Sequence, residues 1–224
     1  MIYSSITRHC ILFFANINQG QLRLMTTNTN TNVYSFNNRS SINITSITSM
    51  NETVYGIWNT TAGSDSLSEY SGYQPGSYWP GESAKNVLDG NLTTDFTSHG
   101  VCNSTLFLLT CGENTGFYFK FRYTSMILVG FRLSTSLWYL MRDPLTVTIE
   151  GSNFNGSALT LGSSWTLIYN GPSGLLSNPG RGQWGTFQAL SGPFIGFSSF
   201  RFLVTSKRGV YPAVGYSEVQ FYHF

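Results

Sequence analysis

Between Asn86 and Thr94 the chain reads Asn86-Val-Leu-Asp89-Gly-Asn91-Leu-Thr-Thr94, a short segment that packs hard oxygen donors around an Asp-Gly turn. Calcium takes about six to eight such oxygens from carboxylates, amides, hydroxyls and turning carbonyls. One carboxylate is thin for a tight site, so the pattern asks for a second acid from elsewhere. Taken alone, the segment reads first as an ordinary Asp-Gly turn. Other routes to chemistry are sparse. His9, His99 and His223 lie far apart, and no His-Glu-x-x-His, Cys-x-x-Cys or Gly-x-Ser-x-Gly occurs. The carboxylates include no pair that local spacing would set up as acid and base. Gly180-Arg-Gly182-Gln-Trp-Gly185 matches the dinucleotide fingerprint in form, but it follows Asn178-Pro179 instead of a strand, so its glycines read as turn residues. The expectation is a protein that is not an enzyme.

A second group of residues suits binding. Leu137-Trp138-Tyr139-Leu140-Met141 is an apolar run followed by Arg142-Asp143. Trp138 and Tyr139 offer faces that stack on sugars and also suit membrane interfaces. Arg142 and Asp143 could hydrogen-bond a polyol, or pair with each other at a turn. The bland alternative is a loop folded onto its own domain. Tyr78, Trp79 and Trp184 are further aromatic candidates, each read first as packing. The net charge of +2 is too small to suggest nucleic acid. Lys207-Arg208, the adjacent basic pair, reads as a solvated turn.

The elements that must position these residues are strands. Phe117, Phe119 and Phe121 alternate with Tyr118 and Lys120; Leu145, Val147 and Ile149 repeat the pattern. So do Trp165, Leu167 and Tyr169, then Phe200, Phe202 and Val204, and finally Val219 and Phe221. A period of two with aromatic and β-branched residues predicts strands with one buried face. Met126 to Leu133 is apolar nearly throughout and predicts a strand buried on both faces. No stretch carries a helical stripe, and the fold class is all-β, a sandwich or jelly roll.

The chain is 41% hydrophobic but only 10% charged, against about 25% charged in ordinary soluble domains. Solubility therefore falls to Asn, Ser, Thr and Gly, which suits an extracellular surface. Asn-x-Ser/Thr acceptors begin at Asn38, Asn43, Asn51, Asn59, Asn91, Asn103 and Asn155. Residues 1–20 hold a short apolar run after Arg8-His9, a marginal or truncated signal segment. Residues 21–53 are rich in Asn, Ser and Thr, a disordered linker, and the folded domain is expected over 54–224. If the chain is secreted, Cys102 and Cys111 pair as a disulfide.

The segment Pro80-Gly-Glu-Ser-Ala-Lys-Asn86-Val-Leu-Asp89-Gly-Asn91-Leu-Thr-Thr94 resembles the early motif of the coagulation factor V/VIII C-type (discoidin) family. Leu128-Val-Gly-Phe-Arg-Leu-Ser134, Arg142-Asp-Pro144, Thr148-Ile-Glu-Gly-Ser-Asn153 and Ser164-Trp-Thr-Leu-Ile168 resemble its central strands in order. Phe200-Arg-Phe-Leu-Val204 and Ser217-Glu-Val-Gln-Phe-Tyr222 resemble its last strands. The resemblance implies a galactose-binding-like jelly-roll β-sandwich over roughly 54–224. It implies a structural calcium held by oxygens of Asn86, Asp89, Asn91, Thr94, Ser217 and Glu218, with Glu218 as the missing second acid. The expected function is a secreted, non-catalytic module that binds carbohydrate on glycans or glycoproteins, as a lectin or adhesion module, with Trp138, Tyr139, Arg142 and Asp143 as ligand contacts. The alternatives are a peripheral phospholipid-binding module and a structural extracellular protein without a small ligand.

Overall fold

A computed structural model describes residues 10–13, 23–26, 44–47, 53–121, 125–191 and 195–223. Most of the expected signal segment (1–20) and linker (21–53) lies outside the described residues, as do the acceptors Asn38, Asn43 and Asn51. The chain divides into two units, Met1–Thr45 with Phe224, and Ser46–His223. In the first, β1 (Cys10–Phe13) pairs antiparallel with β2 (Arg23–Thr26). A short strand, β3 (Thr45–Ile47), follows, and Ile47 is buried in the core of the second unit.

The second unit is a sandwich of two sheets. Its strands are β4 (Val54–Trp58), β5 (Leu67–Ser68), β6 (Tyr70–Ser71), β7 (Ser77–Tyr78), β8 (Phe96–Ser98) and β9 (Thr115–Lys120). They continue with β10 (Leu128–Thr135), β11 (Pro144–Ser152), β12 (Thr166–Pro172), β13 (Gln188–Ala189), β14 (Ser199–Lys207) and β15 (Val214–His223). One sheet runs β13-β10-β15-β8-β7-β6 and the other β12-β11-β14-β9-β4-β5. The alternation in the sequence decides which side chains meet between them. Phe117 and Phe119 of β9, with Phe200 and Phe202 of β14, face Phe131 of β10 and Phe221 of β15. Phe119 lies 5.5 Å from Phe221, and Phe131 lies 6.0 Å from Phe202, ring centre to ring centre.

The sheet centred on β14 is buried on its outer face as well. Residues of the opposite parity, Tyr118 and Leu203, pack there with Ile57, Leu159 and Trp165. Beside them Arg201 Nε donates to Glu150 Oε2 at 2.7 Å across the β11–β14 register, and neither side chain reaches solvent. A buried ion pair needs its remaining hydrogen-bonding groups satisfied to offset desolvation. The Gly63 amide supplies Glu150 Oε1 and Arg201 Nη1 donates to Ser64 O and Ser66 Oγ, while Arg201 Nη2 is buried without a hydrogen-bond partner. The Trp165 ring lies 4.8 Å from the guanidinium carbon.

The reading of Trp165, Leu167 and Tyr169 as one buried face is corrected. Between Glu150↔Leu167 and Ile149↔Tyr169 the register slips by one residue, which leaves Ile168 as a bulge. An extra residue reverses the phase of a strand. Ile168 and Tyr169 therefore both pack toward the core, Leu167 is exposed, and Trp165 seals the outer face.

Replacing Arg201 by Leu is expected to cost about 3–5 kcal/mol in a denaturant titration, since Glu150 would remain buried without its partner. Arg201→Leu combined with Glu150→Leu is expected to recover most of that loss.

Candidate functional site

Antiparallel pairing gathers several connections at one end of the sandwich. β10 ends at Thr135 opposite Tyr216, β14 ends at Lys207 opposite Pro144, and Ser98 of β8 sits opposite Val214. The connections 99–114, 136–143, 173–187 and 208–213 therefore converge there.

Asp95 joins them to the Asn86–Thr94 segment. It is buried, with Oδ1 accepting from Ser217 Oγ and Oδ2 from Ser136 Oγ, both at 2.8 Å. Its carbonyl accepts from Asn86 Nδ2 at 2.7 Å, and the Trp138 amide donates to Ser136 Oγ at 3.0 Å. One carboxylate thus fixes the donor-rich turn, the last strand and the start of the aromatic loop.

The aromatic loop leaves Trp138 and Tyr139 exposed, at 60% and 52% of their surface. The Tyr139 ring stacks on Tyr211, 4.7 Å between centres and 30° between planes. Beneath them Arg142 is buried, its guanidinium carbon 4.6 Å from both rings and its Nη1 3.3 Å from Thr97 Oγ1. Guanidinium is weakly hydrated and tolerates burial against aromatic faces. Asp143 is wholly buried and does not pair with Arg142. Its carboxylate takes a two-pronged contact from Arg181 at 2.6 and 2.7 Å, and Arg208 Nε at 3.4 Å. Trp138 and Tyr139 thus reach solvent, while Arg142 and Asp143 lie behind them.

The neighbouring connection is closed by the Cys102–Cys111 disulfide. Leu106, Phe107, Leu108 and Leu109 inside it are all exposed, and the Phe107 ring meets Tyr211 edge-on at 5.5 Å. The reading of Lys207-Arg208 as a solvated turn is corrected here. Lys207 is buried, and its ammonium donates to the carbonyls of Leu108, Gly209 and Tyr211. Arg208 serves Asp143 and the carbonyls of Leu175 and Leu176. Loop carbonyls without strand partners need donors, and these two residues supply them. His99 is buried nearby, with Nδ1 2.9 Å from Pro212 O and its ring 5.9 Å from that of Trp79. Burial holds its pKa below the usual value, against the pull of that carbonyl.

In the donor-rich turn, the Glu218 carboxylate has come to Asp89 across 129 positions of sequence. Glu218 Oε1 accepts from the amides of Asp89, Gly90 and Asn91 at 3.0–3.2 Å, an anion nest made possible by Gly90 at φ 78°. Burial first, and then the facing Asp89 carboxyl, raise the Glu218 pKa to about 8, opposed by the Asn91 and Gly90 amides. Asp89 Oδ2 accepts from Thr94 Oγ1 at 2.8 Å. Asn91 Oδ1 instead caps Thr93, Asn86 donates to the carbonyls of Gly81 and Asp95, and the Ser217 hydroxyl serves Asp95. Among the described residues no group of three or more His, Cys, Asp or Glu surrounds a common point. Two carboxyls face each other here, while the side chains of Asn86, Asn91 and Ser217 are engaged within the protein.

No protein-family model matches the chain, and no curated protein matches it. Among solved structures it is similar to the family 32 carbohydrate-binding module of Clostridium perfringens NanJ, solved with galactose. The two share 11% identity over 80% of this chain and 98% of that one, with a TM-score of 0.49. It is similar to a family 32 module from a family 31 glycoside hydrolase of the same organism, at 14% identity over 70% and 90%, TM-score 0.48. It is also similar to an F5/8 type C domain from Bacteroides fragilis, at 15% identity over 62% and 79%, TM-score 0.44. At these identities and scores the likeness is one of architecture, and what the site does must follow from its own residues.

Sequence reasoning missed Asp95, Tyr211, Arg181 and Lys207. Arg181 sits inside the glycine pattern set aside as turn residues, and Gly180 and Gly182 do hold positive φ there, at 107° and 60°. Nothing local to Tyr211 or Asp95 marks either; their partners come from other connections.

In the presence of chelator, stability is expected to fall as pH rises from about 5 to about 8. Over that window the folded chain keeps a proton on Glu218 that the unfolded chain has released. Calorimetry of Glu218→Gln is expected to show this slope flattened; an unchanged slope would assign it to another group.

Proposed function

We propose that the chain is a secreted, non-catalytic module that binds carbohydrate on glycans or glycoproteins, in a lectin or adhesion role. One observation carries the reading: the neighbouring Trp138 and Tyr139 are both exposed, and Tyr139 is held by stacking on Tyr211 and on the guanidinium of buried Arg142. Sugar faces stack on such rings, and a platform already held in place loses little freedom on binding. Arg142 and Asp143 act in this reading by holding the platform.

Calcium, in the same proposal, is a structural ion between Asp89 and Glu218, completed by oxygens of Asn86, Asn91, Thr94 and Ser217. Two carboxyls brought face to face across the sequence support it. The ion would contribute charge neutralisation there and tie the start of the domain to its last strand. Export is supported by the Cys102–Cys111 bridge and by exposed acceptors at Asn59, Asn91 and Asn155. A form secreted from eukaryotic cells is expected to exceed 24.9 kDa and to lose the excess on deglycosylation, as mass spectrometry would record.

The binding test is a glycan array run with calcium and with chelator. Trp138→Ala is expected to lower the array signal at least about tenfold, since roughly 1.4 kcal/mol of lost contact is a factor of ten. Its melting temperature should stay nearly unchanged, because the ring is mostly exposed. Full signal in this variant would remove the platform from the site.

A second reading, phospholipid binding, is favoured by the exposed Leu106–Leu109 run in the disulfide loop. Sedimentation with anionic liposomes, lost in Phe107→Ser and retained in Trp138→Ala, would replace the carbohydrate reading with this one.

A further inference from the structure

Among the described residues, Leu106 to Leu109 is the stretch where four large apolar side chains in a row are exposed, at 42, 54, 46 and 51%. Together they present roughly 400 Å² of apolar surface, at the level of the largest patch on a typical monomer, ~300–600 Å². The loop cannot draw them in. Its ends are fixed by buried Cys102 and Cys111, 5.3 Å apart between Cα atoms, and Lys207 Nζ holds the Leu108 carbonyl at 2.9 Å. Water contact on such a run is unfavourable, so a cover is expected. An anionic bilayer would want cations around the run. Those of the neighbouring connections turn inward instead: Arg142 packs under Tyr139 and Tyr211, Arg181 and Arg208 serve Asp143, and Lys207 ends on three carbonyls.

The same loop holds an attachment point for such a cover. Asn103-Ser104-Thr105 is an Asn-x-Thr acceptor inside the disulfide. Asn103 Oδ1 accepts from the Thr105 amide at 3.0 Å and from Thr105 Oγ1 at 2.8 Å. Asn103 Nδ2 makes no hydrogen bond among the described residues and is not among their shielded, unpartnered atoms, so it reaches water. Both bonds to Oδ1 join residues two apart in sequence, so the arrangement is available to the chain before the domain folds. Asn103 stands three residues before Leu106, within about 11 Å of it however extended the chain. The bridge turns Leu109, at the far end of the run, back toward Asn103. The Ser104 amide donates to Tyr73 O at 2.9 Å, which pins this arm of the loop to the domain.

We propose that Asn103 carries an N-linked glycan whose first rings lie over the Leu106–Leu109 run and close it to other partners. The transfer forms one bond, from Asn103 Nδ2 to the anomeric carbon of the first sugar. It breaks that carbon's bond to the diphosphate of a polyprenyl-diphosphate oligosaccharide, the donor. The amide gives one proton to a base of the transferring enzyme, and the polyprenyl diphosphate leaves with the bonding electron pair. A glycan is bulky and solubilising. Its sugar C–H faces suit the exposed Phe107 ring, while its hydroxyls keep their water. The inference rests on the export reading and is independent of which ligand the aromatic loop takes. It also removes from the secreted form the surface on which phospholipid binding would depend.

The test uses the full chain secreted from eukaryotic cells, as wild type, Asn103→Gln, Thr105→Val and Thr105→Ser. Glycopeptide mass spectrometry is expected to find Asn103 occupied in the wild type and in Thr105→Ser, which keeps the acceptor. The other two should carry no glycan at this position. Fluorescence of the apolar dye anilinonaphthalene sulfonate is expected to rise at least about threefold in those two forms, as the run is uncovered. Phe107→Ser added to Asn103→Gln is expected to cancel most of the rise; a rise that persists would mark loosened folding and overturn the shield. An unchanged dye signal in both bare forms would overturn it too. Glycan at Asn59, Asn91 or Asn155 with Asn103 bare would overturn the inference and leave export standing. No occupied acceptor at all would also remove the glycan support for export. Sedimentation of the glycosylated wild type with phosphatidylserine–phosphatidylcholine vesicles would overturn the shield in favour of phospholipid binding.

Discussion

A single buried carboxylate organises the working end of this molecule. Among the described residues the Asp95 carboxylate is met by the hydroxyls of Ser136 and Ser217. Each hydroxyl belongs to a different sheet connection or strand, and the Asp95 carbonyl takes up Asn86. Without Asp95, the Ser136 hydroxyl that receives the Trp138 amide would lose its own acceptor, and the donor-rich turn would lose its anchor to the domain. Unpaired buried groups cost about 1–3 kcal/mol each, so the network is held as a unit or not at all. Both proposed features of this end, an aromatic face and a cation between Asp89 and Glu218, hang from the same residue.

The architecture was legible because period two survives translation into structure. Phe117, Phe119, Phe200, Phe202, Phe131 and Phe221 meet between the sheets as their alternation requires. It failed at Ile168, where a bulge changes phase, an event that leaves no mark in residue type. The approach of Glu218 to Asp89 came from a motif resemblance, and the structure brings the two together. The side chains of the convergent loops were less readable. Lys207 and Arg208 look like a surface pair in sequence because their acceptors are backbone carbonyls, which every residue carries equally. The partner of Asp143, Arg181, lies 38 residues away in another connection, so their pairing could not be read locally.

Both faces of the sheet centred on β14 are covered, one by the other sheet and one by the Arg201–Glu150 layer. The loop end, by contrast, presents exposed aromatic side chains to solvent. A doubly covered sheet is a stiff mount. Loops attached to it can differ in length and composition while their ends stay in place, which is how one scaffold comes to present different contact surfaces.

The charged residues of the domain are unusual in where they sit. Asp95, Arg142, Asp143, Glu150, Arg201, Lys207 and Glu218 are all buried. Fewer formal charges are left at the surface to act on a partner approaching from a distance. Electrostatic guidance can raise association rates by about 10–1,000-fold. Where such guidance is weak, partners are held through contact lifetime or through several copies acting on one surface.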